Sequence, residues 1–228
     1  MKSDWRLELG MLLVIAAMFD AAAAVWPSAP AAIPVHWNVS GEVDRYGGRF
    51  EGLLLLPFLA LAIYLLLRYL PSVDPLRANY ARFSGAYTAI RAAVLLLMAG
   101  IYGMVIAWVL ETPVDMSRLV PAAVGGLFIF FGSVLGKVKP NWFVGIRTPW
   151  TLSSSESWAR THRLGGWLFI ALGALFAVTG LFKLGSFGFV ILGASIVVVS
   201  VLVVYSYFVW RADPAKRTTP ETSRRHDE

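Results

Sequence analysis

The chain has 228 residues, 57% of them hydrophobic and 15% charged, with a mean hydropathy of +0.65. Several apolar runs approach or exceed the roughly 18–20 residues that cross a bilayer, too many for the core of a soluble domain. The net charge of +6 would suit a nucleic-acid binder, but the cations gather at the ends of apolar runs, as membrane topology requires, so direct nucleic-acid binding is excluded. The absence of Cys excludes disulfides and thiolate metal sites.

Six apolar stretches fall at residues 7–26, 52–70, 86–110, 119–136, 164–182 and 187–210, each long enough for a helix and none alternating like a barrel strand. The expected fold is an all-α integral membrane protein, a six-helix transmembrane bundle. The first stretch follows Lys2 and Arg6 and ends near Ala21–Ala24, which also resembles a cleavable signal peptide. Asp20 interrupts it, and an even number of spans with both ends basic favours its retention. Glu8 in this span and Arg91 in the third are placed to pair, while Asp20 has Arg45, Arg49 and Lys183 as candidate partners. Too few acidic residues lie at mid-membrane depth for a proton relay.

Between the first two spans, residues 27–52 carry Pro27, Pro30 and Pro34, which favour extended backbone. Residues 35–38 and 42–46 read as short strands joined by a Ser40-Gly41 turn, with Gly47-Gly48 as a second turn. A small hairpin-like cap is expected. His36, Asn38, Gly41, Glu42 and Asp44 are its candidate binding residues, with Arg45 alongside. No ligand spacing is diagnostic of a metal there, and no metal is assigned. The tripeptide Asn38-Val39-Ser40 matches a glycosylation acceptor but lies too near the membrane to be used.

Gly166, Gly173 and Gly180 share one face of the fifth span, and Gly132 and Gly136 form a GxxxG pair in the fourth. Small residues on one face let helices approach closely in lipid, here within the chain rather than as a dimer seam. Sixteen of the 20 Lys and Arg fall on the side shared by the two termini and the second and fourth connections. Both termini are therefore expected in the cytoplasm and the hairpin outside.

The fourth connection, residues 137–163, is too polar and too aromatic to be a bare connector. Gly136 and Pro140 end the fourth span, and Trp142, Phe143 and Trp150 suit the headgroup region. Gly145 permits unusual backbone angles, and Pro149 pushes Thr148 toward extended geometry. Ser153 and Glu156 have the form of a capping box, from which a helix should run unbroken through Trp158, His162 and Arg163 into the fifth span. Arg147 lies on a loop able to fold back against that helix. Arg147, Arg160 and Arg163 suit either lipid phosphate anchoring or a specific contact. His162 lacks a paired carboxylate or nucleophile, so no catalytic residue and no enzyme activity are assigned.

Pro140-Asn141-Trp142-Phe143-x-Gly145-Ile146-Arg147-Thr148-Pro149-Trp150-Thr151-Leu152-Ser153, followed by Trp158-x-x-Thr161-His162-Arg163-x-Gly165-Gly166, resembles the motif of SdpI-type membrane proteins. The run from Ile33 and Pro34 through His36, Trp37, Asn38, Gly41, Glu42 and Asp44 is similar to a short domain of unknown function that often precedes the SdpI-type region. The resemblance implies a multi-pass protein of the bacterial cytoplasmic membrane. It implies immunity against a secreted antimicrobial peptide toxin, and a receptor role in which a transcriptional repressor is sequestered at the cytoplasmic face. On this reading Asn141, Gly145, Arg147, Thr148, Thr151, Trp158, His162 and Arg163 form a cytoplasmic binding motif, and no cofactor is required. The expected divisions are residues 1–70, containing the outer loop 27–52; 71–210, containing the motif loop 137–163; and a disordered basic tail, 211–228. A transporter or exporter of a peptide or small amphiphile is the alternative.

Overall fold

The structure is a computed structural model and describes residues 5–38, 42–112, 114–182 and 188–215. Helix α1 (Trp5–Val25) leads through the antiparallel strands β1 (Ile33–Trp37) and β2 (Val43–Gly47) to a π-helical turn, Phe50–Leu54, and α2 (Leu55–Val73). A 3-10 segment, Arg77–Phe83, opens α3 (Ser84–Val109), followed by α4 (Met116–Leu135). The short α5 (Pro149–Ser153) precedes α6 (Ser155–Leu181), and α7 (Gly188–Ala212) closes the fold. Among the described residues, six helices are long and apolar enough to cross a membrane. Helices satisfy every backbone donor and acceptor within the segment, which lipid cannot do, so even the β-branched run of α7 is helical.

The six-helix membrane fold and the small hairpin agree with the sequence. Gly41, Lys2, Lys183, the Val39-Ser40 pair and residues 216–228, which include His226 and most of the expected tail, lie outside the described residues. The strands sit at Ile33–Trp37 and Val43–Gly47, shifted by one or two residues from expectation. The cause is Ile33, fully buried against Gly52 and paired with Gly47. Tyr102 of α3 donates to the Leu53 carbonyl at 3.0 Å, fixing the base of the hairpin to the bundle.

Helices α1, α2 and α3 share one core, where Met11, Ile15, Met18, Tyr64, Leu95 and Tyr102 meet. At one end of this group Glu8 and Arg91 pair, with Arg91 Nη1 and Nη2 donating to the two Glu8 carboxylate oxygens at 2.6 and 2.9 Å. Tyr64 donates to the same carboxylate at 2.7 Å, and Arg68 lies 3.7 Å from it. Asp20 takes no such partner among the described residues: it is exposed, and Arg45 is committed to Glu51 at 2.6 Å.

Helices α4 and α6 approach so closely that their glycines face each other's main chain. A Cβ on Gly125 would stand 2.5 Å from the Gly173 carbonyl oxygen, and one on Gly132 would overlap that of Gly166. Gly180 completes the row against Arg118 and Ala122. The face at Gly166, Gly173 and Gly180 is thus an intramolecular seam. Gly136 is not part of it and meets nothing within 4 Å. The working pair in α4 is Gly125 and Gly132, because seven residues, not four, return a nearly straight helix to the face opposite α6.

Helices alternate direction, so two faces result. One carries the hairpin. The other, here the loop face, carries the start of α1, the α2–α3 connection, the segment between α4 and α6, and the end of α7.

Candidate functional site

On the loop face, Asn141 is fully buried and organises the turn after α4. Its Nδ2 donates to the Lys139 and Val144 carbonyls, both at 2.9 Å. Its Oδ1 accepts the amides of Phe143 at 2.9 Å and Val144 at 2.6 Å. An Asn side chain that copies a backbone turn is the usual solution where a loop must reverse without a helix or sheet ladder.

Next to it Asp74, 2% exposed, accepts from the Leu76 amide at 2.7 Å, the Tyr80 hydroxyl at 2.9 Å and the Trp142 amide at 3.0 Å. Tyr80 has one hydroxyl proton, and the carboxylate takes it. Its 3.3 Å approach to Asn141 Oδ1 is therefore a weak contact. Asn79 Nδ2 adds a 2.8 Å bond to the Pro140 carbonyl. The α2–α3 connection is in this way tied to the motif loop.

Trp158 and His162, one turn apart on α6, stack with centroids 4.1 Å apart and planes 17° from parallel. Trp158 Nε1 donates to Val138 O at 2.9 Å, and His162 Nε2 accepts the Ile146 amide at 3.0 Å. The pair thus staples both ends of the loop to α6. His162 Nδ1 lies 2.8 Å from the Trp158 carbonyl, so the ring is neutral with its proton on Nδ1. With both ring nitrogens engaged by main chain, His162 has no free lone pair for proton transfer. Gly145 (φ +114°) passes so close to His162 Nε2 that a Cβ would overlap it.

Thr148 and Thr151 form the capping box of α5. Thr148 also meets Ser206 Oγ of α7 at 3.0 Å, and Thr151 donates to the Ile146 carbonyl at 2.8 Å. The sequence placed the cap one residue early. The N-cap of α6 is Ser154, whose Oγ accepts the Ser157 amide at 2.9 Å and donates to Asp213 at 2.5 Å. Ser153 instead closes α5, bonding the Pro149 carbonyl at 2.8 Å. Glu156 is left to pair with Arg160 at 2.6 Å. From that cap the helix runs unbroken through Trp158, His162 and Arg163 into the fifth span, as expected, starting one residue later.

Among the expected motif residues, Asn141, Thr148, Thr151, Trp158 and His162 are therefore buried and bonded to other parts of the chain. Arg147 and Arg163 are exposed. Arg147 does not reach α6: its Nη1 donates to the Trp142 carbonyl at 2.6 Å, within its own loop. Lys137 and Arg160 are exposed nearby, and no carboxylate lies between residues 137 and 155. The solvent side of the clamp is cationic and aromatic, with Trp142 half exposed.

Sequence reasoning missed Asp74, Tyr80, Ser157, Ser206 and Asp213. Asp74 before Pro75 carried a turn signal, but its contacts to Trp142 span 68 residues. At the hairpin, His36 Nδ1 lies 2.5 Å from Asp44 Oδ1, and Asn38 and Glu42 hold the turn through three bonds of 2.8, 3.0 and 3.1 Å. The two groups of candidate residues sit on opposite faces and share no contact.

Comparison with known proteins adds to this geometry. Residues 137–206 match the SdpI/YfhL protein family, and residues 13–61 match a domain of unknown function, DUF1648. The first region holds the clamp and its α7 partner Ser206; the second holds α1 from residue 13 onward, the hairpin and the start of α2. Immunity protein SdpI of Bacillus subtilis (strain 168) is 22% identical over 200 residues, covering 86% of this chain and 93% of the relative. No solved structure shows a significant match.

Proposed function

Given an SdpI/YfhL region at residues 137–206 behind a DUF1648 region at 13–61, we propose that this multi-pass membrane protein confers immunity against a secreted antimicrobial peptide. The observation that carries the reading is the likeness to an immunity protein over nearly the whole of both chains. Partial likeness would leave one face unaccounted for; this one covers the hairpin and the clamp together.

The cation distribution supports an orientation with the loop face and both termini in the cytoplasm and the hairpin outside. In that orientation the hairpin, with His36, Asn38, Gly41, Glu42 and Asp44, meets the peptide. The clamp presents Arg147 and Arg163 to a soluble partner, for which a transcriptional repressor is the family-derived candidate. The buried motif residues hold that surface in shape and do not themselves touch the partner.

The test is survival of a sensitive strain expressing the protein, challenged with the antimicrobial peptide secreted by the protein's own source. Expression is expected to raise survival at least tenfold. Unchanged survival, with the protein present in the membrane at normal level, would defeat the immunity reading. Net flux of the peptide in proteoliposomes would move the assignment to transport.

A further inference from the structure

A cleft of about 510 Å³ lies between the turn after α1 and the end of α3, lined by Ser28, Pro30, Trp108, Val109, Glu111 and Thr112. Its volume is in the range of roughly 300–1,000 Å³ found for ligand clefts. Among the described residues, Glu111 is the one non-glycine residue with a positive φ, +56°. It follows Leu110, the cap of α3, and its amide donates to the Trp108 carbonyl at 3.0 Å. The Thr112 amide donates to the Ala107 carbonyl at 2.9 Å. A helix ending of this kind needs a left-handed residue at position 111, which glycine supplies without strain and a side chain does not. The exposed Glu111 carboxylate has no hydrogen bond or ion pair among the described residues. A strained residue whose functional group is unengaged directs attention to what that group could bind.

The polarity of the cleft is one-sided. Every main-chain N–H of its lining residues is spent or absent. Ser28 donates to Val25, Glu111 to Trp108 and Thr112 to Ala107; Trp108 and Val109 donate within α3, and Pro30 has no N–H. The Ser28 hydroxyl also donates to the Val25 carbonyl, at 3.2 Å, which leaves it only lone pairs to offer. Trp108 Nε1 and the Thr112 hydroxyl are the donors that remain. The last carbonyls of α3 accept no further main-chain N–H among the described residues, so this helix end carries partial negative charge. Basic residues on the same face are engaged elsewhere, Arg45 by Glu51 and Arg118 by the Leu181 carbonyl.

An anion would find almost no donors here. An organic cation that only donates finds a carboxylate, a helix end of the right sign and an indole wall. A zwitterionic lipid headgroup would bring a phosphate as well, and no Lys or Arg lines the cleft to receive it. A basic side chain brings positive charge alone. Arginine fits best, since its planar guanidinium pairs with carboxylates and stacks on aromatic faces.

We propose that this cleft binds the basic side chain of a peptide, arginine above all, with its cation paired to Glu111 beside Trp108. The inference rests on the immunity reading for the identity of the natural peptide, and it adds a cation-selective contact beside the hairpin.

The experiment uses the full-length protein in phosphatidylglycerol nanodiscs. The chain has no native Cys, so Ala31→Cys, at an exposed position next to Pro30, carries a single trifluoromethyl label read by fluorine NMR. The probe is acetyl-Gly-Arg-Gly-amide, and acetyl-Gly-citrulline-Gly-amide is its uncharged counterpart. The arginine tripeptide is expected to shift the label saturably, and the citrulline tripeptide to need about tenfold or more higher concentration, the loss of a hydrogen-bonded charge. Glu111→Gln should weaken the arginine tripeptide to the same extent. Glu111→Gly removes the carboxylate and the backbone strain together, so it should bind no better than Glu111→Gln while its thermal stability equals or exceeds that of wild type.

Equal titrations of wild type and Glu111→Gly, or of the two tripeptides, would overturn the proposal. A label shift produced by phosphatidylethanolamine in the discs, and unmoved by the arginine tripeptide, would assign the cleft to lipid and overturn it too. Protection of cells by a protein that does not bind the tripeptide would sink this inference and leave the immunity reading standing. Saturable, Glu111-dependent binding by a protein that fails to protect would do the reverse.

Discussion

Gly132→Val and Gly173→Val are each expected to separate α4 from α6 and to destabilise the protein by about 3 kcal/mol or more, the upper end of overpacking effects. Gly173 leaves only 2.5 Å between a would-be Cβ and the Gly125 carbonyl oxygen, and Gly132 faces Gly166 as closely. The obstacle is main chain on a regular helix, which cannot turn aside as a long side chain does. In lipid, moreover, no hydrophobic gain drives helices together, so close van der Waals packing supplies most of the association. Adding bulk to this seam removes that packing along several turns. Gly126 supplies the control: it is exposed on the same helix, with nothing within 4 Å of its would-be Cβ. Gly126→Ala should stay within about 0.5 kcal/mol of wild type. Unfolding in mixed detergent and SDS measures all three variants. Equal stability of Gly126→Ala and Gly173→Val would refute the seam.

The second large effect is expected at Glu8 and Arg91. The Arg91 side chain is 2% exposed and that of Glu8 13%, and they meet through two charge-assisted bonds of 2.6 and 2.9 Å. Removing Glu8 strands the Arg91 charge where water cannot reach it, and removing Arg91 leaves Glu8 only Tyr64 and the more distant Arg68 as partners. Glu8→Leu and Arg91→Leu should each cost about 3–5 kcal/mol. The double variant should cost clearly less than the sum, because replacing both charges by apolar groups removes the desolvation penalty as well as the attraction. A coupling energy toward the top of the roughly 0.5–3 kcal/mol range is expected from the double-mutant cycle. Additive single effects would show that the pair is not coupled. Tyr64 and Arg68 share the carboxylate, which is why the single Glu8 variant should be the more damaging of the two.

These two predictions also mark what was legible in the sequence. The spans announce themselves by length and apolarity, and Glu8 and Arg91 stand out because charges inside spans are few. The α6 glycine face follows from a seven-residue spacing. The rotation of α4 does not: Gly132 with Gly136 and Gly125 with Gly132 are both plausible small-residue pairs, and only docking against α6 selects the second.

The cap of α6 is a similar case. Ser153 with Glu156 and Ser154 with Ser157 are near-equivalent patterns one residue apart. The choice falls to Ser154 because Thr148 and Thr151 have already capped an α5 that extends to Ser153, and because Asp213 holds the Ser154 hydroxyl. Asp74, Tyr80 and Ser206 gain their roles from partners far along the chain, and periodicity carries no information about such contacts. The hairpin, in contrast, was legible from Pro and Gly alone, and only its register needed Ile33 to be seen buried.

The motif between Gly136 and Gly166 divides into residues that build a clamp and residues that the clamp displays. Asn141 is the clearest builder: fully buried, it bonds the Lys139 and Val144 carbonyls and the Phe143 and Val144 amides. Arg147 is the clearest displayed residue, exposed and bonded only within its loop. The most direct test is the unfolding free energy of Asn141→Ala beside that of Arg147→Ala, measured in the same detergent. Asn141→Ala is expected to lose about 2 kcal/mol or more, since it removes a fully buried side chain and leaves the part-buried Phe143 and Val144 amides without their partner. Arg147→Ala is expected to stay within about 0.5 kcal/mol of wild type. The reverse order, with Asn141→Ala neutral and Arg147→Ala unstable, would contradict the division of the motif.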